Sequence, residues 1–216
     1  MTRPEDLALL GGGEKVAADL LEFRVDDLAD YVDSVEACLS RADSALLTVR
    51  RPDEGGSGGL DDDARLALYR SLAGSAELVD TEIASLATEP FSGFVDEIHE
   101  AGARVVASFH DFHGFPGIET LQQKVDEGRG FGADVVKLAV AIRERKDLFS
   151  LAELVEQTLH EGQPISAMGM GPLGKLSRLV LATAGSCLNY GYFQTPNAPG
   201  QWSAAELRRL IDELSA

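Results

Sequence analysis

Two spacings of apolar residues alternate along the chain. Short runs rich in valine, leucine, isoleucine and alanine fall at 19–25 (DLLEFRV), 45–50 (ALLTVR), 77–83 (ELVDTEI), 103–109 (ARVVASF), 133–140 (ADVVKLAV), 164–168 (PISAM) and 186–192 (SCLNYGY). Each has the length of a strand. Between them, apolar residues recur at helical spacing over 27–40, 61–73, 89–101, 117–129, 147–161, 172–183 and 203–214. The pair repeats roughly every 25–30 residues, the signature of βα units building a parallel sheet. Strands so continuously apolar belong to a sheet covered on both faces. The predicted fold class is α/β, a TIM-type (β/α)8 barrel forming a single domain over 1–216, with an open doubly wound sheet as the alternative.

The barrel is one strand short. Seven strands are predicted, because the stretch before the first, RPEDLALLGGGEKVA, reads as a helix and a loop. An open barrel exposes backbone groups on the two strands flanking the gap. A true start upstream of Met1, a partner chain at the edge, or irregular packing of residues 1–18 would each answer that exposure; an upstream start is the expectation.

Charge narrows the partners. The 216 residues carry a formal net charge of −17, which argues against nucleic acid or an anionic membrane surface, since both require a cationic face. No apolar run is long enough to span a bilayer. The N-terminal MTRPEDLALLGGGEK has acids where a signal peptide has a basic start, so a cytoplasmic location is expected. Cys38 and Cys187 have no metal-ligand spacing and are expected to be free thiols.

In a barrel, chemistry gathers at the C-terminal ends of the strands and in the loops that follow. Those positions hold Glu22 and Arg24, Arg50 with Glu54, Glu82, His110, Lys137, Met168 with Met170, and the loop before Arg178. Lys137 is the most informative, because it interrupts the apolar run GADVVKLAVA. An ammonium inside a covered sheet costs several kcal/mol unless it is paired or neutralised. Burial and neighbouring cations favour the neutral amine, which is a nucleophile for a ketone or aldehyde and forms a Schiff base. The alternative is a lysine that reaches past the strand end to water. His110 ends the preceding strand, and an imidazole there can take the proton that an iminium acidifies; Glu54 can orient it. His113 is read as a bystander. The stretch GMGPLGKLSR satisfies G-x-x-x-x-G-K from Gly169, but Leu176 stands where Ser or Thr would hold magnesium. Nucleotide binding is therefore set aside, and Arg178 is read as a site for a substrate carboxylate.

With these residues assembled, the chain resembles the type I 3-dehydroquinate dehydratases, which form a Schiff base. The resemblance rests on DLLEFRVD, LLTVRRPDEGG, VVASFHDF, DVVKLA, SAMGMGPLGKLSR and APGQ, in that order between residues 19 and 201. It implies that Lys137 condenses with the C3 ketone of 3-dehydroquinate, that His110 removes a C2 proton and protonates the departing C1 hydroxyl, and that Glu54 positions His110. It further implies that Glu22, Arg24 and Arg50 bind ring hydroxyls, Arg178 the carboxylate, and Gln201 a hydroxyl from a closing loop, with Met168 and Met170 lining the pocket. The family implies no metal, no cofactor, a homodimer, and a place in the shikimate pathway of aromatic amino acid biosynthesis. The alternatives are another Schiff-base barrel lyase or aldolase, and a degenerate barrel that binds ligand without turnover. Besides the absent first strand, two positions depart from the family pattern. Asn197 stands where a serine commonly touches substrate, and Phe115 stands where threonine is usual.

Overall fold

The computed structural model describes residues 1–13, 16–196 and 200–214. The chain divides into two compact units, Met1–Ala107 and Ser108–Ala216.

The first unit opens with helix α1 (Pro4–Gly11), followed by β1 (Leu21–Arg24), α2 (Val32–Leu39), β2 (Ala45–Thr48), α3 (Asp62–Leu72), β3 (Leu78–Glu82), a single turn α4 (Ile83–Leu86) and α5 (Phe94–Glu100). β1 pairs parallel with β2, placing Glu22 opposite Leu46 and Arg24 opposite Thr48. β2 pairs parallel with β3, placing Thr48 opposite Asp80. Every residue of β2 and β3 is buried, as expected of a sheet with both faces covered. Tyr69, Phe91 and Phe94 pack edge-to-face in the layer behind it, a preferred aromatic geometry. β4 (Arg104–Asp111) runs through the division between the units.

The second unit contains α6 (Ile118–Gly130), β5 (Val135–Ala141), α7 (Arg145–His160), β6 (Ile165–Met170), α8 (Gly174–Thr183) and α9 (Ala204–Leu214). β5 and β6 are parallel, with Lys137 opposite Ser166, Ala139 opposite Met168 and Ala141 opposite Met170. Strand positions two apart share a face, so this register gathers Lys137, Ser166, Met168 and Met170 on one side.

The parallel α/β class and the helix between each pair of strands agree with the sequence pattern. Two local expectations need correction. The strand predicted at 45–50 stops at Thr48, because side chains take the next residue's backbone groups. Val49 N–H donates to the Tyr69 hydroxyl at 3.1 Å, and Val49 O accepts from Arg65 Nε at 2.9 Å. The strand predicted at 186–192 does not form. Ser186 substitutes for a ladder there, its Oγ accepting from Ala167 N–H at 2.9 Å, while Ser166 Oγ donates to Leu188 O. Among the described residues, Cys187 N–H still donates to Ile165 O at 2.9 Å, and an isolated bridge joins Tyr192 to Ser203. At the other edge, no described strand precedes β1. The Met1 amine donates to Glu22 O, and Arg24 N–H donates to Met1 O at 2.9 Å, so one residue takes up two edge groups of β1.

Helix α3 begins where the sequence places an acid run. Asp61 accepts from Ala64 N–H at 2.9 Å and caps the helix. Asp61→Ala is expected to cost about 1 kcal/mol of stability in urea unfolding, with Asp61→Asn nearly neutral.

Candidate active site

In the first unit, the ends of β1, β2 and β3 bring acids and guanidinium groups together. Glu22 Oε1 accepts from Thr48 Oγ1 at 3.0 Å. Arg24 lies along Asp26 with two hydrogen bonds, Nε to Oδ1 at 2.9 Å and Nη2 to Oδ2 at 2.7 Å, and it also donates to Gly55 O at 3.0 Å. Burial alone would lower the Arg24 pKa, but this paired carboxylate outweighs it and the net shift is upward. Asp26 is buried, and its Oδ1 also accepts from Arg50 N–H at 3.1 Å. One carboxylate thus fixes two of the arginines singled out in the sequence.

Arg50 is only 3% exposed. It reaches Asp80 at 2.8 Å through Nη2 and Glu82 at 3.0 Å through Nη1. Burial again opposes the charge, and the two acids overcome it, so its pKa is raised. Glu54 ends the short turn Pro52–Glu54, its N–H donating to Arg51 O at 3.2 Å. Glu22, Arg24, Arg50 and Glu54 therefore all lie at strand ends or in the loop that follows, as the sequence predicts.

The second unit holds the rest. Lys137 is 3% exposed on β5, and its Nζ stands 4.3 Å from the centre of the Tyr190 ring, a cation–π distance. The buried position expected for this lysine is therefore occupied, and it does not reach past the strand end into water. Met168 is buried and Met170 half-buried on the neighbouring strand. His110 sits near the end of β4, half-buried, with the Phe112 ring stacked alongside at 6.2 Å and 12°. His113 is exposed; its N–H donates to Asp111 Oδ1, and its carbonyl accepts from Arg143.

Arg178 is held differently from Arg50. Its guanidinium is buried near the start of α8, with Nε donating to Tyr190 O at 3.1 Å. Its Nη1 faces Gly169 O at 3.0 Å, Gly174 O at 3.1 Å and Gly200 O at 3.1 Å. Among the described residues it has no acidic partner, and burial pushes its pKa down to about 10. At about 10 that pKa still leaves the guanidinium charged at neutral pH, against carbonyl oxygens. Next to Gln201, Trp202 donates its indole N–H to Lys175 O at 3.0 Å while the Lys175 ammonium stands 4.2 Å from the ring. These contacts tie this chain segment to α8. Asn197 lies outside the described residues. Phe115 is half-buried in the loop after β4.

Sequence reasoning missed Asp26, Asp80, Arg65 and Tyr190. The alternation in LVDTE was a usable signal for Asp80, because it puts Asp80 on the same strand face as Glu82. Nothing in SCLNYGY marked Tyr190 as the ring facing Lys137, since it read as a strand.

Comparison with known proteins gives a consistent picture. The family model for type I 3-dehydroquinase matches residues 2–216. A 3-dehydroquinate dehydratase from Klebsiella pneumoniae is 31% identical, with the match covering 99% of this chain and 90% of that protein. One from Clostridium kluyveri is 30% identical over 96% of this chain and 86% of its own length. Among solved structures, a type I 3-dehydroquinate dehydratase from Clostridium difficile, with covalently modified comenic acid, superposes with a TM-score of 0.85 at 27% identity. That match covers 96% of this chain and 86% of its own. The fold extends to other TIM-barrel-like enzymes. An orotidine 5'-monophosphate decarboxylase from Sulfolobus solfataricus has a TM-score of 0.61 at 12% identity, covering 100% of this chain and 97% of its own.

The turn carrying Glu54 depends on Gly56. A Cβ there would overlap the Arg50 carbonyl oxygen and lie 2.8 Å from the Arg51 oxygen, whereas Gly59, at φ +61°, faces open space. Gly56→Ala is expected to lower stability by more than about 2 kcal/mol, because backbone must move. Gly59→Ala should cost only about 1 kcal/mol of left-handed strain. Parallel urea titrations of the two variants read the difference.

Proposed function

The chain belongs to the type I 3-dehydroquinase family, and from that premise we propose that it converts 3-dehydroquinate to 3-dehydroshikimate through an imine on Lys137. The observation that carries the reading is the position of Lys137, an amine 3% exposed inside a parallel strand and facing an aromatic ring. A lysine kept for solubility has no reason to be there; an amine that must bond to a ring carbonyl does.

The steps follow from the residues. The Lys137 amine adds to the C3 ketone, and the carbinolamine loses water to give an iminium. His110 takes a proton from C2, and the electron pair left behind delocalises into the C2–C3 bond as an enamine. The enamine expels the C1 hydroxyl, which leaves as water with the proton from His110. Water then hydrolyses the conjugated imine, releasing the enone and the free amine. General acid–base help of this kind contributes about 10²–10⁴-fold, so formation of the imine supplies much of the remaining acceleration.

Glu54 is assigned to keeping the His110 imidazole in its reactive form. Arg178 takes the substrate carboxylate, which supplies the anion that its carbonyl-lined position lacks. Glu22, Arg24, Arg50 and Gln201 are assigned to ring hydroxyls, and Met168 and Met170 to apolar contact with the ring. Asn197 belongs with the hydroxyl contacts. The covalently modified ring acid in the Clostridium difficile relative is in keeping with a nucleophilic side chain. The reading places one catalytic domain over the chain, acting as a cytoplasmic homodimer in the shikimate pathway.

Borohydride reduction in the presence of 3-dehydroquinate, followed by peptide mapping, tests this directly. A stable adduct on Lys137 is expected, together with enone absorbance during turnover, and Lys137→Ala removes both. His110→Ala should slow enone formation by at least about 10²-fold while borohydride still traps the adduct. Trapping on any other residue overturns the mechanism.

A further inference from the structure

We propose that Arg65 is a positioning residue for the substrate-binding guanidinium of Arg50, acting through Glu82. The inference rests on the dehydratase reading, which gives Arg50 its role, and adds a group that no sequence motif marked.

Arg65 comes from α3 and is fully buried, reaching the ends of β2 and β3. Its guanidinium is used on every side. Nε donates to Val49 O at 2.9 Å, and Nη1 donates to Asp62 Oδ1 at 2.9 Å and Ser85 Oγ at 3.0 Å. Nη2 pairs with Glu82 Oε2, and the Phe91 ring lies beneath, 5.1 Å from Cζ. Ser85 Oγ donates to the same Glu82 oxygen at 2.8 Å. That leaves Glu82 Oε1 for Arg50 Nη1 and for Arg51 N–H, each at 3.0 Å. The two carboxylate oxygens therefore have separate owners: Arg65 and Ser85 hold one, and the loop after β2 is held by the other.

Charge gives Arg65 a second effect. Asp80 and Glu82 both sit at zero side-chain exposure against Arg50. On the dehydratase reading an anionic substrate must approach near these buried carboxylates. Arg65 gives Glu82 a second cation beside Arg50. Without it, Arg50 would be drawn toward an under-compensated Glu82 and held less firmly for a hydroxyl.

The experiment compares steady-state kinetics with 3-dehydroquinate for the parent protein, Arg65→Met, Arg65→Lys and the double variant Arg65→Met with Glu82→Gln. Arg65→Met should raise KM about tenfold with kcat within about twofold, the order expected of one uncompensated charge about 10 Å away at an effective dielectric of about 20. Arg65→Lys keeps the charge with fewer hydrogen bonds and should fall between parent and Met. The double variant removes the orphaned carboxylate together with its partner and should bring KM back toward the parent value. If Arg65→Met fails to fold, the double variant and Arg65→Lys carry the same comparison. Variants that lose thermal stability while KM stays at the parent value overturn the inference and leave the dehydratase reading intact. A folded parent protein that produces no enone overturns the reading itself, and the assignment of Arg65 to substrate binding with it.

Discussion

A charged group inside a sheet covered on both faces must be met by other groups, and each buried cation dictates much of what surrounds it. This chain buries several basic side chains and meets each with a different set of neighbours. Arg50 is clamped by Asp80 and Glu82, so β3 ends in two acids two residues apart. Arg65 is used up by one carboxylate oxygen, a carbonyl, a hydroxyl and a second acid. Among the described residues, Arg178 is given carbonyl oxygens and no acid. Lys137 is set against an aromatic ring.

These solutions differ in what they leave available. A guanidinium between two carboxylates is held in place and its charge is already answered, which suits a donor to neutral hydroxyls. A guanidinium among carbonyls, with no acid against it among the described residues, suits a carboxylate. The opposite directions of the two pKa shifts, upward for Arg50 and downward for Arg178, express the same contrast. Two arginines of the same chain are thus specialised by their neighbours, a distinction that residue type alone does not carry.

Much of this was legible in the sequence for definite reasons. Helical and strand periodicity located α3, α6, α7 and α8 to within a few residues, because a covered sheet demands unbroken apolar strands and one-sided helices. The lysine in DVVKLA stood out because an ammonium in such a run is costly. Segment 186–192 misled because its composition is that of a strand, while the hydroxyl of Ser186 took up the backbone groups of Ala167. The pattern predicts β2 two residues longer than it is for a related reason: the side chains of Tyr69 and Arg65 claim Val49. In both places a side chain distant in sequence competes with the ladder, and periodicity carries no record of that.

The sequence by itself determined the α/β class, the family, and which side chains sit at strand ends, because these depend on local spacing and on residues whose chemistry is costly to place at random. Only the tertiary structure decided that Asp26 serves two arginines, that Glu82 is divided between Arg50 and Arg65, and that Arg178 has carbonyls for company. Those pairings join residues up to 32 positions apart. The distant ones are set by strand register and helix packing, and there no single stretch of sequence contains both partners.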